Sequence, residues 1–211
     1  MRKWLHGVIV AAAWGLSIAV FSQLPDRLPT HWGLSGEVDR WSGRTEGAFF
    51  LPAVMVGMWA LLTFLPRIDP RRKNYDKFRG TYDAIVAMVL GVILLVHVAI
   101  LASGLGYLIP MERVIPMTVG ALLIALGNLL PRARPNWFVG IRTPWTLSSD
   151  RVWERTHRLG GLLFVLTGII LIVAGLIPSV VSIGVAIAAG VLTTAVTLVY
   201  SYVAWRQEQA G

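Results

Sequence analysis

Residues 81–105 read TYDAIVAMVLGVILLVHVAILASGL, with one carboxylate near their start and one imidazole, His97, inside them. The hydrocarbon core of a bilayer is about 30 Å thick and takes roughly 20 apolar residues as helix. A run of this length and composition predicts a membrane-crossing helix. Five more stretches meet the same requirement, at about 4–24, 47–66, 112–130, 159–177 and 180–204. The expected fold is therefore all-α: a polytopic membrane protein of six transmembrane helices, with residues 1–211 as a single membrane domain. The first run follows Met-Arg-Lys as a signal peptide would. It is too long for one, and no small-x-small cleavage site precedes Pro25, so it is read as a retained helix.

Composition agrees. The chain is 55% hydrophobic and only 14% charged, more apolar surface than a soluble domain of this size could hide. It has no Cys, which excludes disulfides, thiolate catalysis and Cys-ligated metals. Its net charge is +8. In a soluble protein that would suggest nucleic acid; in a membrane protein it is first a topology signal, because cytoplasmic connections collect Lys and Arg. Arg2 and Lys3, the six cations of 67–80, the six Arg of 128–158 and Arg206 fall on one side of the six-span plan, and Arg27, Arg40, Arg44 and Arg113 on the other. This bias places both termini in the cytoplasm. It makes 25–46 an extracytoplasmic cap loop and 131–158 a cytoplasmic loop and interfacial helix. No direct nucleic-acid partner is needed, and anionic lipid head groups on the cytoplasmic side are the expected first partner of the positive charge.

The longest polar interval is Asn128–Arg158, NLLPRARPNWFVGIRTPWTLSSDRVWERTHR. Its prolines forbid regular helix from Pro131 to Pro144. Thr146 to Asp150 then offers N-cap side chains for a helix running into the fifth span. On that helix Arg151, Arg155 and Arg158 form one stripe, Glu154 and Arg158 an i,i+4 pair, and Trp153 and His157 lie opposite. An interfacial helix would turn Arg to lipid phosphate and Trp to acyl chains; a docking face would turn both to a ligand. Arg142, fixed between Gly140 and Pro144, suits fork-like recognition of a carboxylate or phosphate. Asn136, Arg142, Trp145, Trp153, His157 and Arg158 are the candidate binding residues.

The 25–46 loop offers His31, Trp32 and Asp39. His31, Glu37 and Asp39 lack a recognised metal-ligand spacing, so no metal is expected; His31 and Asp39 should hydrogen-bond the turns of a compact cap. The basic segment 67–80 reads as solvated and lipid-facing. Inside the third span, His97 should be neutral and face a neighbouring helix, and Asp83 reads as an interfacial carboxylate. No nucleophile elbow, HExxH or phosphate loop is present, so neither an enzyme nor a cofactor is expected. Gly160-Gly161 reads as a close-packing point. Leu24-Pro25-x-x-x-Pro29 and Leu130-Pro131-x-x-x-Pro135 are 106 residues apart, which raises the expectation of a 3+3 inverted-topology repeat.

Residues 127–161 resemble the signature of the SdpI family of bacterial membrane proteins. The resemblance rests on Gly127-Asn128, Pro131, Pro135-Asn136, Gly140-Ile141-Arg142-Thr143-Pro144-Trp145, Ser148, Trp153 and Thr156-His157-Arg158. The run LPTHWGLSGEVDRWSG resembles a small domain of unknown function often N-terminal in that family. The resemblance implies a plasma-membrane immunity and signalling protein, with a secreted toxin peptide outside and a transcriptional repressor retained inside. A small transporter or lipid-handling protein, using Asp83 and His97, is the competing expectation. A third reading, a metal-dependent enzyme around His31, would require bound metal.

Overall fold

The computed structural model describes residues 3–33, 36–177 and 179–210. The six apolar runs are helices: α1 (Lys3–Val20), α2 (Arg44–Ile68), α3 (Tyr75–Gly104), α4 (Met111–Leu129), α6 (Asp150–Leu176) and α7 (Val180–Ala210). A short helix, α5 (Pro144–Ser148), lies between α4 and α6. Each of the six long helices is apolar enough to cross a bilayer, so the chain is a multi-pass membrane protein. Four of them, α2, α3, α6 and α7, outrun the stretches that hydropathy marks. α3 begins at Tyr75 and carries a kink at Phe78 (φ −134°, ψ 24°), and α6 begins at Asp150. Their polar first turns lie beyond the apolar run, where hydropathy carries no signal.

The compact cap expected of the 25–46 loop is built on a β-hairpin. Strand β1 (Arg27–Trp32) pairs antiparallel with β2 (Val38–Gly43), with register irregularities on both sides of His31. These are the only strands among the described residues. The chain reaches β1 through a 3-10 turn, Phe21–Gln23. The second LPxxxP segment starts inside such a turn, Leu130–Arg132, but continues as coil and α5. The echo therefore does not extend to the connections, and the repeat gains no support from them.

The chain forms two compact units, residues 1–63 with 86–115 and residues 64–85 with 116–211. In the first, Leu24 and Leu28 pack with Ala48, Ile100 and Leu101. Leu28 is fully buried; it projects from β1 and roots the hairpin in this cluster. Trp14 stacks on Phe49, with ring centroids 5.5 Å apart. In the second unit, α4 and α6 touch backbone to backbone. A Cβ on Gly120, Gly127, Gly161 or Gly168 would lie 2.5–2.6 Å from the carbonyl oxygen of the facing glycine. Small residues permit such approach where lipid supplies no hydrophobic drive between helices. α7 joins α6 through the Thr167–Thr193 hydroxyl pair, 2.7 Å apart.

Candidate functional site

The candidate site lies in the second unit and is built from the signature stretch. α4 ends where Pro131 and Pro135 stop it. The chain then folds around Asn136, which is fully buried. Its amide donates to Arg134 O and Val139 O, both at 2.9 Å. Its Oδ1 accepts from Phe138 N at 2.9 Å and Val139 N at 2.7 Å. One side chain thus satisfies four backbone groups of the turn, so Asn136 is the turn's knot. Such side-chain-to-backbone bonding is what favours Asn in turns.

The next turn rests on an aromatic pair. Trp153 and His157, one helical turn apart on α6, stack with ring centroids 3.9 Å apart and planes 18° apart. Gly140 lies across them at φ +120°. Ile141 N donates to His157 Nε2 at 3.0 Å, while His157 Nδ1 is 2.8 Å from Trp153 O. Nε2 must accept, so Nδ1 carries the proton and the imidazole is neutral in this arrangement. Trp153 Nε1 donates to Ala133 O at 2.9 Å. Both ends of the loop are therefore bonded to one pair of rings.

After Ile141 the chain enters α5 through a capping box. Thr146 N donates to Thr143 Oγ1 at 3.1 Å, and Thr143 N to Thr146 Oγ1 at 2.8 Å. Pro144 occupies the first turn, where its missing N–H costs nothing. Thr143 Oγ1 also donates to Ser201 Oγ on α7, at 3.1 Å. Ser149 then caps α6 by accepting from Val152 N.

Beneath this frame sits Asp69, only 2% exposed. It accepts from Arg71 N at 2.7 Å on Oδ1, and from Tyr75 OH and Trp137 N, both at 2.9 Å, on Oδ2. The segment 67–80, expected to be solvated, is thus partly interior, because Asp69 and Tyr75 serve the signature turn. Tyr75, Phe78 and Tyr82 form an aromatic cluster with centroids 5.2–6.3 Å apart. Arg71 reaches across to Leu147 O at 3.0 Å and Asp150 at 2.8 Å.

Of the six signature residues singled out by sequence, Asn136, Trp153 and His157 are fully buried, while Arg142 and Arg158 are exposed. Arg142 donates to Trp137 O at 2.8 Å, and its guanidinium has no ion-pair partner among the described residues. Trp145 packs on Tyr202, centroids 5.1 Å apart. Two local expectations are corrected. Trp153 faces the loop interior rather than acyl chains, because the loop folds back over it. Glu154 pairs with Arg134 at 2.8 Å, not with Arg158, since the loop delivers Arg134 to that side of α6.

In the first unit, His31 and Asp39 bond each other across the hairpin at 2.5 Å, both exposed, and Trp32 is half-buried. Among the described residues no three His, Asp or Glu side chains gather as a metal site would require. His97 lies 2.9 Å from Ser17 Oγ, the interhelical bond expected of a buried histidine. Ser17 Oγ is also 2.6 Å from Ala48 O. Asp83, in the second unit, is half-buried.

Asp69 and the Thr143–Thr146 pair are structural centres that the sequence does not single out. The Asp69-Pro70 dipeptide at a helix end, a turn-favouring sequence, was the one available signal for the first.

Residues 132–201 match the SdpI/YfhL protein family, and residues 8–56 match a domain of unknown function, DUF1648. The chain is similar to the immunity protein SdpI of Bacillus subtilis, 27% identical over 175 residues, or 79% of this chain and 77% of that protein. An uncharacterized protein of Archaeoglobus fulgidus is 34% identical over 64 residues, 30% of this chain and 34% of its own length. No solved structure matches.

Proposed function

We propose, for a chain that belongs to the SdpI/YfhL protein family, an immunity role exerted by binding alone. A secreted membrane-active peptide is met on the extracytoplasmic side, at the exposed His31 and Asp39 of the hairpin and the half-buried Trp32 beside them. The signature turn faces the cytoplasm and holds a protein partner there, a transcriptional repressor, whose retention changes when peptide binds. The observation that carries this reading is the rigid frame around Arg142. Asn136, Gly140, Trp153, His157 and the Thr143–Thr146 box fix the backbone on both sides of it, and its guanidinium remains exposed. A preorganised cationic fork loses little freedom on meeting a carboxylate or phosphate.

Sensitive bacteria expressing the chain should survive candidate membrane-active peptides that kill the parent strain. Arg142→Ala should reduce that protection by about tenfold, the value of one charge-assisted contact, with the protein present at parental levels in the membrane. Full protection by a well-expressed Arg142→Ala variant would assign the turn to structure alone.

Orientation follows the charge bias. The inside-facing connections carry most of the 19 Lys and Arg, and anionic head groups neutralise those, such as Arg132 and Arg158, that have no ion-pair partner among the described residues. A reporter active only in the cytoplasm should work when fused after residue 210, and one active only outside should work when inserted in the hairpin turn. The reverse pattern would invert every assignment of a face made above.

A further inference from the structure

The second unit contains a cleft of about 360 Å³ lined by Asn74, Lys77, Arg134, Pro135, Asp150 and Glu154. Arg134 and Pro135 of the signature stretch form one edge of it, and Arg142 does not line it. The depth of its helical residues can be read from the chain. Lys77 precedes the apolar run of α3 by four residues and Glu154 that of α6 by five. At 1.5 Å per residue these are about 6–8 Å outside the hydrocarbon. Head-group layers occupy about 5–8 Å on each side of a bilayer core, so the cleft opens at that level.

The cleft's charges have a definite pattern. Arg134 is engaged by Glu154 at 2.8 Å, and Asp150 by Arg71 at 2.8 Å. Each carboxylate uses one oxygen, Glu154 Oε1 and Asp150 Oδ1. The second oxygen of each accepts no hydrogen bond among the described residues. Asn74 is anchored through Nδ2 to Pro135 O at 2.8 Å, which leaves its Oδ1 as a third acceptor. Lys77 is exposed and is the one cation of the lining without an ion-pair partner among the described residues. The lining therefore presents one free ammonium and three free acceptors. A ligand with one anionic group and one multi-donor cationic group satisfies both sets. A dianion would meet two carboxylates, and a simple cation would meet Lys77 and Arg134.

We infer that this cleft is a binding site for the zwitterionic phosphoethanolamine head group of a membrane phospholipid. Lys77 takes the phosphate, and Glu154, Asp150 and Asn74 receive the ammonium. The depth of the cleft makes a lipid, rather than a soluble phosphoester, the source of that chemistry.

The test uses the purified full chain in detergent and follows its unfolding temperature against four additives. These are short-chain phosphatidylethanolamine, short-chain phosphatidylglycerol, glycerophosphoethanolamine and inorganic phosphate. The ethanolamine lipid should stabilise at about tenfold lower concentration than the glycerol lipid, a difference of one charge-assisted contact. Lys77→Ala should weaken both lipids about tenfold, and Lys77→Arg should restore them. Glu154→Gln should weaken only the ethanolamine lipid. Arg206→Ala, outside the cleft, should change neither. Equal action of the two lipids overturns the zwitterion assignment, and indifference to Lys77→Ala overturns the site. Stabilisation by glycerophosphoethanolamine as strong as by the lipid overturns the membrane source.

Discussion

Gly140→Ala is expected to unfold the signature loop and cost about 2–4 kcal/mol of stability. Two effects add. At φ +120° the backbone is in a region that L side chains rarely adopt, a strain of about 1–3 kcal/mol. The new Cβ would also run into His157 Nε2 and lie 3.1 Å from the Trp153 ring. Neither ring can yield cheaply. Trp153 is held by Nε1 to Ala133 O, and His157 by Nδ1 to Trp153 O. To relieve the collision, Ile141 must lift away and give up its N–H bond to His157. The Ile141 side chain, which packs over Gly160, moves with it. The measurement is the fraction unfolded against a denaturing detergent, with hydrogen exchange at Phe138–Thr143 as the local readout. Parental stability together with parental exchange would mean that the turn has a second, equally good conformation. His157→Gln should be milder, since the carboxamide can still accept from Ile141 N, and what is lost is the ring stack and the Nδ1 bond to Trp153 O.

That expectation shows what the sequence did and did not reveal. The six spans were legible because each is a long run whose composition alone satisfies the bilayer. The start of α6 was legible because Ser149 and Asp150 are cap residues following a proline-rich segment. Other features depend on which distant residues meet. Nothing in THWGLSGEVDRW announces strands, since the hairpin is stabilised by Leu28 entering a cluster with Ile100 and Leu101, more than 70 residues later. Asn136, Trp153 and His157 were recognised as special from their setting in the signature. Residue types and spacing suit an outward-facing chemistry, yet all three are interior. Trp and His at helical spacing beside Arg suit an interface or a core equally, and only the path of the loop, folding back on α6, decides. Arg142 was the residue whose setting the sequence conveyed best. A glycine two positions before it and a proline two after already implied a fixed turn.

Asp69→Ala is the second large effect, again about 2–4 kcal/mol, because it strands donors that no water can reach easily. Tyr75 OH keeps a fallback in Asn136 Oδ1, 3.3 Å away. Trp137 N has none that the structure shows, and an unsatisfied buried N–H costs about 1–3 kcal/mol. Asp69→Asn distinguishes the two oxygens. Its carbonyl can replace Oδ2 and keep Tyr75 and Trp137, but its NH2 then faces Arg71 N–H. About half the loss should therefore return. Tyr75→Phe in the Asp69→Ala background should add little, whereas in the parent it should cost about 1 kcal/mol, the value of one buried hydrogen bond. The two residues act through one network, so their effects should not add. Strict additivity in that cycle would show that Asp69 supports the turn through the backbone N–H groups of Arg71 and Trp137 alone. The functional consequence tests the frame around Arg142 from its far side. Asp69 makes no bond to the guanidinium, yet Asp69→Ala should reduce protection as Arg142→Ala does, with Trp137 O no longer held where Arg142 bonds it. Unchanged protection in a destabilised but membrane-resident Asp69→Ala protein would mean that Arg142 acts without its fixed setting.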